Sequence, residues 1–116
     1  MRRVYMDHSA TTPVDPRVVE AMLPFLMEKF GNASSVHFFG QEARAAVDGA
    51  RREIAALVNA RPNEIVLLSG GTEANNLAIR GIAEAAEPHG RHIITSSIEH
   101  SAVRGVCDAL EKRGWE

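Results

Sequence analysis

The stretch from Ile65 to Ser96 constrains the chain most. It opens with an unbroken apolar run, Ile65-Val66-Leu67-Leu68-Ser69, and turns on Gly70-Gly71-Thr72. Helical character follows from Glu73 to about Glu87, Pro88-His89-Gly90 breaks it, and His92-Ile93-Ile94-Thr95-Ser96 reads as a second strand-like run. A short apolar run bounded by turn residues has the length of a buried strand, and the longer segment between the two runs has that of a helix. Ala102 to Arg113 reads as another helix. The order is β-α-β-α, so the expected fold class is α/β.

The residues before this stretch read as helical. Asp15 can cap a helix that starts on Pro16, where a missing N–H costs nothing. Val18, Met22, Leu26 and Phe30 recur at helical spacing as a packing stripe, and Pro24 interrupts the helix's hydrogen bonding. A loop from Gly31 to Gly40 leads to a long helix from about Gln41 to Val58, with Ala43, Val47, Ala50, Ile54 and Leu57 or Val58 as its expected buried face. The organisation is therefore 1–60, an N-terminal segment with helices, and 61–116, the start of an α/β domain.

A chain of 116 residues is one modest domain or part of a larger one. Trp115-Glu116, after the helix stop Gly114, reads as the opening of another strand, so the chain is expected to stop mid-domain. The balance of 13 Lys plus Arg against 15 Asp plus Glu gives no electrostatic reason to expect nucleic acid or an anionic membrane as partner. Cys107, the one cysteine, rules out an internal disulfide and a multi-cysteine zinc site. No apolar stretch approaches the roughly 20 residues that span a bilayer, and a cytoplasmic location is expected.

Two places carry candidate chemistry. Ser69-Gly70-Gly71-Thr72-Glu73 joins a strand to a helix, where the first helical amides and the Thr72 hydroxyl can hold a phosphate; the same residues also make an ordinary capped turn. No lysine follows the glycines, so this is not a nucleoside-triphosphatase loop, and the spaced glycines of a dinucleotide site are missing. His100, after the second run, can stack on a planar ligand or exchange a proton near neutral pH, or can simply start a helix. His8, His37, His89 and His92 show no metal-ligand pattern, and no metal is expected.

Four strings occur together in one order. They are Tyr5-Met6-Asp7-His8-Ser9-Ala10-Thr11-Thr12-Pro13; Phe30-Gly31-Asn32 with Ser34-Ser35 and His37; Ser69-Gly70-Gly71-Thr72-Glu73-Ala74-Asn75-Asn76-Leu77-Ala78; and His92-Ile93-Ile94-Thr95-Ser96 with Glu99-His100. This set closely resembles the start of the NifS/IscS-type cysteine desulfurases. These are pyridoxal 5'-phosphate enzymes of fold type I, class V of the aminotransferase superfamily.

The resemblance implies an incomplete N-terminal part of a fold-type I transferase. It implies removal of sulfur from L-cysteine, leaving L-alanine, with persulfide transfer for iron–sulfur cluster and thio-cofactor assembly. Carried over by residue, Gly71 and Thr72 bind the cofactor phosphate, and His100 stacks on the cofactor ring and assists proton transfer as the catalytic histidine. Asn32 falls in the substrate-side loop, and Ala10-Thr11-Thr12 in a segment near the pocket. His8 stands where relatives commonly carry tyrosine or asparagine.

By the same resemblance the enzyme is a homodimer that hands sulfur to an acceptor or iron–sulfur scaffold protein. The Schiff-base lysine, the aspartate at the pyridine nitrogen, the carboxylate-binding arginine and the acceptor cysteine all lie downstream. Lys29, Lys112 and Cys107 match none of them, so the isolated 116 residues are expected to be catalytically silent. The two strands lie apart in the family's sheet, with later strands between them. A selenocysteine lyase or related class V lyase is the alternative enzyme, and a non-catalytic interaction module the alternative from another class.

Overall fold

A computed structural model describes residues 2–116. The chain divides into two compact units, the first ending at Ile65 and the second spanning Val66–Glu116.

The first unit holds α1 (Pro16–Met27) and α2 (Phe38–Leu57). The Asp15 carboxylate accepts the Arg17 N–H at 2.9 Å, which satisfies one of the amides a helix start leaves open. Pro24 lies inside α1, and its carbonyl accepts the Glu28 and Lys29 amides at 2.9 and 2.7 Å. No residue of α1 is buried, so the stripe of Val18, Met22 and Leu26, with Phe30 beyond it, faces solvent.

Helix α2 begins earlier than its composition suggests, because His37 caps it by accepting the Gly40 N–H on Nδ1 at 3.4 Å. It closes at Asn59, in the left-handed region with φ 54°: Asn59 donates to the Ala56 carbonyl at 3.3 Å and Ala60 to that of Ala55 at 2.8 Å. That pair of bonds is the Schellman stop. Gly40, Ala43 and Ala55 are the buried residues of α2. Of the face expected to be buried, Val47, Ile54, Leu57 and Val58 are exposed. Arg51 is held by Asp48 at 2.6 Å and donates to the Ile65 carbonyl at 3.3 Å, tying the end of the unit to α2.

The second unit alternates extended segments with α3 (Gly71–Ala86) and α4 (Ser101–Glu111). Ala83, Val106, Leu110 and Trp115 form its core, with Ile79 and Ile93 packed against them. The C-terminal half of α3 thus meets the C-terminal half of α4, and the Glu84–Arg113 ion pair at 3.6 Å repeats that alignment. The packing of α3 on α4 lies toward the C-terminal ends of both helices.

The expected strands are not formed as such: among the described residues no strand is present. Both Val66–Leu68 and His92–Ser96 lack helical structure, but a strand exists only through a ladder, and these two segments do not pair with each other. The start of one ladder is visible. Glu116 donates to the Arg91 carbonyl at 2.8 Å and accepts from the Ile93 N–H at 2.7 Å, the bonding pattern of a parallel pair. Gly114, with φ 87°, makes the turn that brings Trp115 into the core and Glu116 to this edge.

Candidate functional site

The candidate site is built from the starts of α3 and α4. Gly70, the residue before α3, has no side chain with which to cap it. Of the first-turn amides, Ala74 bonds back to the Gly70 carbonyl at 3.0 Å, while those of Gly71, Thr72 and Glu73 have no protein acceptor. The space is open: no atom lies within 4 Å of where a Cβ would stand on Gly70 or Gly71. Three free amides with the Thr72 hydroxyl beside them, at the positive end of a helix, form a donor set for a phosphate-like anion.

Glu73, in the same turn, is tied back to Ser69 through one carboxylate oxygen. Its Oε2 accepts the Ser69 N–H at 2.8 Å and the Ser69 hydroxyl at 2.7 Å. These bonds, the hydroxyl's foremost, hold the Glu73 carboxyl below the usual carboxylate range. No role for Glu73 is evident from composition or spacing, because the familiar capping box joins a residue to one three positions later, and here the separation is four.

His100 caps α4. Its Nδ1 accepts the Ala102 N–H at 3.1 Å, so the neutral ring carries its proton on Nε2, away from that bond. The ring is exposed at the helix start, and the residue thus keeps both readings its sequence allowed: it starts a helix and leaves an imidazole face and an N–H free.

Asn32 lies in the first unit. Its Oδ1 accepts the Ser34 N–H and its carbonyl the Ser35 N–H, both at 2.9 Å, in a tight turn packed on the start of α2. Tyr5 donates to the Asp7 and Thr11 carbonyls, and His8 Nδ1 lies 3.1 Å from the Thr12 hydroxyl, which gives the Tyr5–Thr12 segment local order. Lys29 pairs with Glu42 at 3.5 Å and Lys112 caps the far end of α4. Cys107 is half-buried within α4. In the second unit, therefore, Gly71 and Thr72 open α3 and His100 caps α4, while Lys112 closes α4 and Cys107 lies within it.

The family model for "Aminotransferase class-V" matches residues 4–116. The chain belongs to the class-V aminotransferase family. A cysteine desulfurase IscS from Dictyoglomus turgidum is 55% identical over 115 residues, covering 99% of this chain and 29% of the relative. Among solved structures, a NifS-like protein superposes with a TM-score of 0.92 at 41% identity, covering 99% of this chain and 32% of that one. A structure titled SspA in complex with cysteine gives 0.87 at 42% identity, covering 97% and 32%. The chain spans under a third of the length of the relatives it matches. These neighbours carry the fold of this class-V aminotransferase chain even though its described residues form helices without a completed sheet.

Proposed function

We propose that the protein is a pyridoxal 5'-phosphate-dependent cysteine desulfurase, which converts L-cysteine to L-alanine and passes the sulfur to an enzyme thiol as a persulfide. The observation that carries the reading is the set of free donors on Gly71, Thr72 and Glu73 at the start of α3, with the exposed His100 ring at the start of α4 of the same unit. The donor set fits the cofactor in charge and in space: a phosphomonoester is a dianion near neutral pH, the α3 amides are unpaired, and nothing crowds Gly70 or Gly71. Bound there, the cofactor supplies the electron sink for cleavage at the substrate's β-carbon.

This chain's own residues would bind and orient. The Gly71 N–H and the Thr72 amide and hydroxyl would hold the phosphate; the His100 ring would stack on the cofactor, and its Nε2 would give and take a proton. Asn32 would serve the substrate, as the motif around it implies. Residues 61–116 begin the cofactor-binding domain, and the extended segments around Val66 and Ile94 become strands against further sheet. The lysine, aspartate, arginine and acceptor cysteine of the chemistry come from outside these 116 residues. Homodimerisation, a cytoplasmic location, and delivery of sulfur to an acceptor or iron–sulfur scaffold protein belong to the same proposal. The names of the relatives and the cysteine in one neighbour's title favour it over selenocysteine lyase.

The test is turnover of L-cysteine by the gene product with added pyridoxal 5'-phosphate. Equal amounts of alanine and transferred sulfur are expected. Binding of the cofactor without release of alanine from cysteine overturns the assignment.

A further inference from the structure

The first turn of α3 contains a contradiction that the proposed function leaves open. A carboxylate within a phosphate-binding turn repels the ligand, yet Glu73 sits in that turn and carries the third of its free amides. Its hydrogen bonds give the reason. The usual third-position glutamate bonds the cap residue's own N–H. Glu73 instead reaches past Gly70 to Ser69 and takes both the amide and the hydroxyl proton on one oxygen.

Two consequences follow. The Ser69 hydroxyl is turned toward the Glu73 carboxylate and accepts none of the free amides. Gly70 and Gly71, which restrain the backbone least of all residues, are spanned by a bridge from Ser69 to Glu73, so the turn is held although its own residues do not hold it.

We infer that Glu73 is a positioning residue for the phosphate cradle, its carboxylate fixing the Ser69–Gly71 turn so that the leading amides of α3 remain free for a phosphomonoester. The inference rests on the proposed cofactor reading and assigns the residue that shapes the site. Positioning and charge make opposite demands. If only charge mattered, Glu73→Ala would tighten phosphate binding by removing a repulsion. If the bridge sets the turn, it weakens binding, and Glu73→Gln, which keeps an acceptor, restores most of it.

The experiment titrates the gene product, freed of cofactor, with pyridoxal 5'-phosphate and with pyridoxal, which lacks the phosphate. Glu73→Ala is expected to weaken pyridoxal 5'-phosphate about tenfold, only part of what two hydrogen bonds to a charged acceptor are worth because they act on the ligand through the turn, and to leave pyridoxal within about twofold. Glu73→Gln is expected to stay within about threefold of wild type, and Ser69→Ala, which keeps the amide bond, to lose about threefold. The inference is overturned if Glu73→Ala binds pyridoxal 5'-phosphate as tightly as wild type or tighter, or loses both ligands equally. Should Glu73→Ala not fold, equal behaviour of Ser69→Ala and wild type on the phosphorylated ligand overturns it as well. Failure of the cofactor reading has a different signature: wild type itself shows no preference for the phosphorylated ligand, and the inference falls with it.

Discussion

Two glycines of α2 give opposite answers to one substitution. Gly40 is buried in the first turn, and a Cβ there would stand 2.7 Å from the Asn32 carbonyl and from Ser35 Cβ, and closer still to the Ser35 carbonyl. Those groups belong to a turn held by the Ser35 N–H donating to Asn32 at 2.9 Å, so they cannot move without straining that bond. Overpacking costs about 1–3 kcal/mol, and a strained hydrogen bond adds about 0.5–1.5 kcal/mol. Against this, alanine gains about 0.5–1 kcal/mol over glycine in a helix. The steric term wins, and Gly40→Ala is expected to destabilise by about 1–3 kcal/mol. At Gly49, in the middle of the same helix, the nearest atom is Arg52 Nη2 at 3.8 Å, an ordinary contact on a flexible side chain. There the helical gain stands alone, and Gly49→Ala is expected to stabilise by about 0.5–1 kcal/mol. Urea denaturation of both variants beside wild type measures the difference. Gly40→Ala as stable as wild type, or both variants shifting together, refutes the packing of the Asn32 turn on α2.

Three further outcomes are expected. His100→Asn should preserve α4, because asparagine caps helices well, yet reduce alanine release at least a hundredfold through loss of the ring and its proton; steady-state turnover beside a melting curve separates the two. Leu110→Ala should cost about 2–5 kcal/mol by opening a cavity in the second unit's small core, read as a fall in denaturation midpoint. Asp15, Glu64 and Glu73 are held below the carboxylate range by side-chain bonds from Arg17, Arg61 and Ser69 respectively, with backbone bonds from the same residues second. Their folded pKa values are lowered, so this stabilisation is full above the ordinary carboxylate pKa and lost as pH falls through the folded values, below about pH 4. Asp15→Asn, Glu64→Gln and Glu73→Gln combined should flatten that acid limb in a pH series of melting curves.

The helices were legible because their signals are local. Asp15-Pro16 marks the start of α1, and apolar spacing locates α2 and α4. The starts of α2 and α3 were less so: histidine at position 37 is an uncommon cap, and α3 begins on Gly71, which has little helical preference of its own. The strands and the buried faces depend on what lies opposite them. Val66, Leu67, Leu68 and Ile94 are apolar but exposed, as are Val47 and Ile54, since burial and pairing are properties of a neighbour and not of the residue. In the site, Gly71, Thr72 and His100 were readable from their motifs, and the structure sets them at the starts of α3 and α4. The bridge from Glu73 to Ser69 was not readable, being one residue longer than the standard box.

The most direct test of the account is a crystal structure of the gene product grown with pyridoxal 5'-phosphate. The account expects phosphate oxygens at hydrogen-bond distance, about 2.7–3.2 Å, from the Gly71 and Thr72 amides and the Thr72 hydroxyl, with the His100 ring across the cofactor face. A phosphate bound away from the start of α3, or a cofactor ring out of reach of His100, contradicts it.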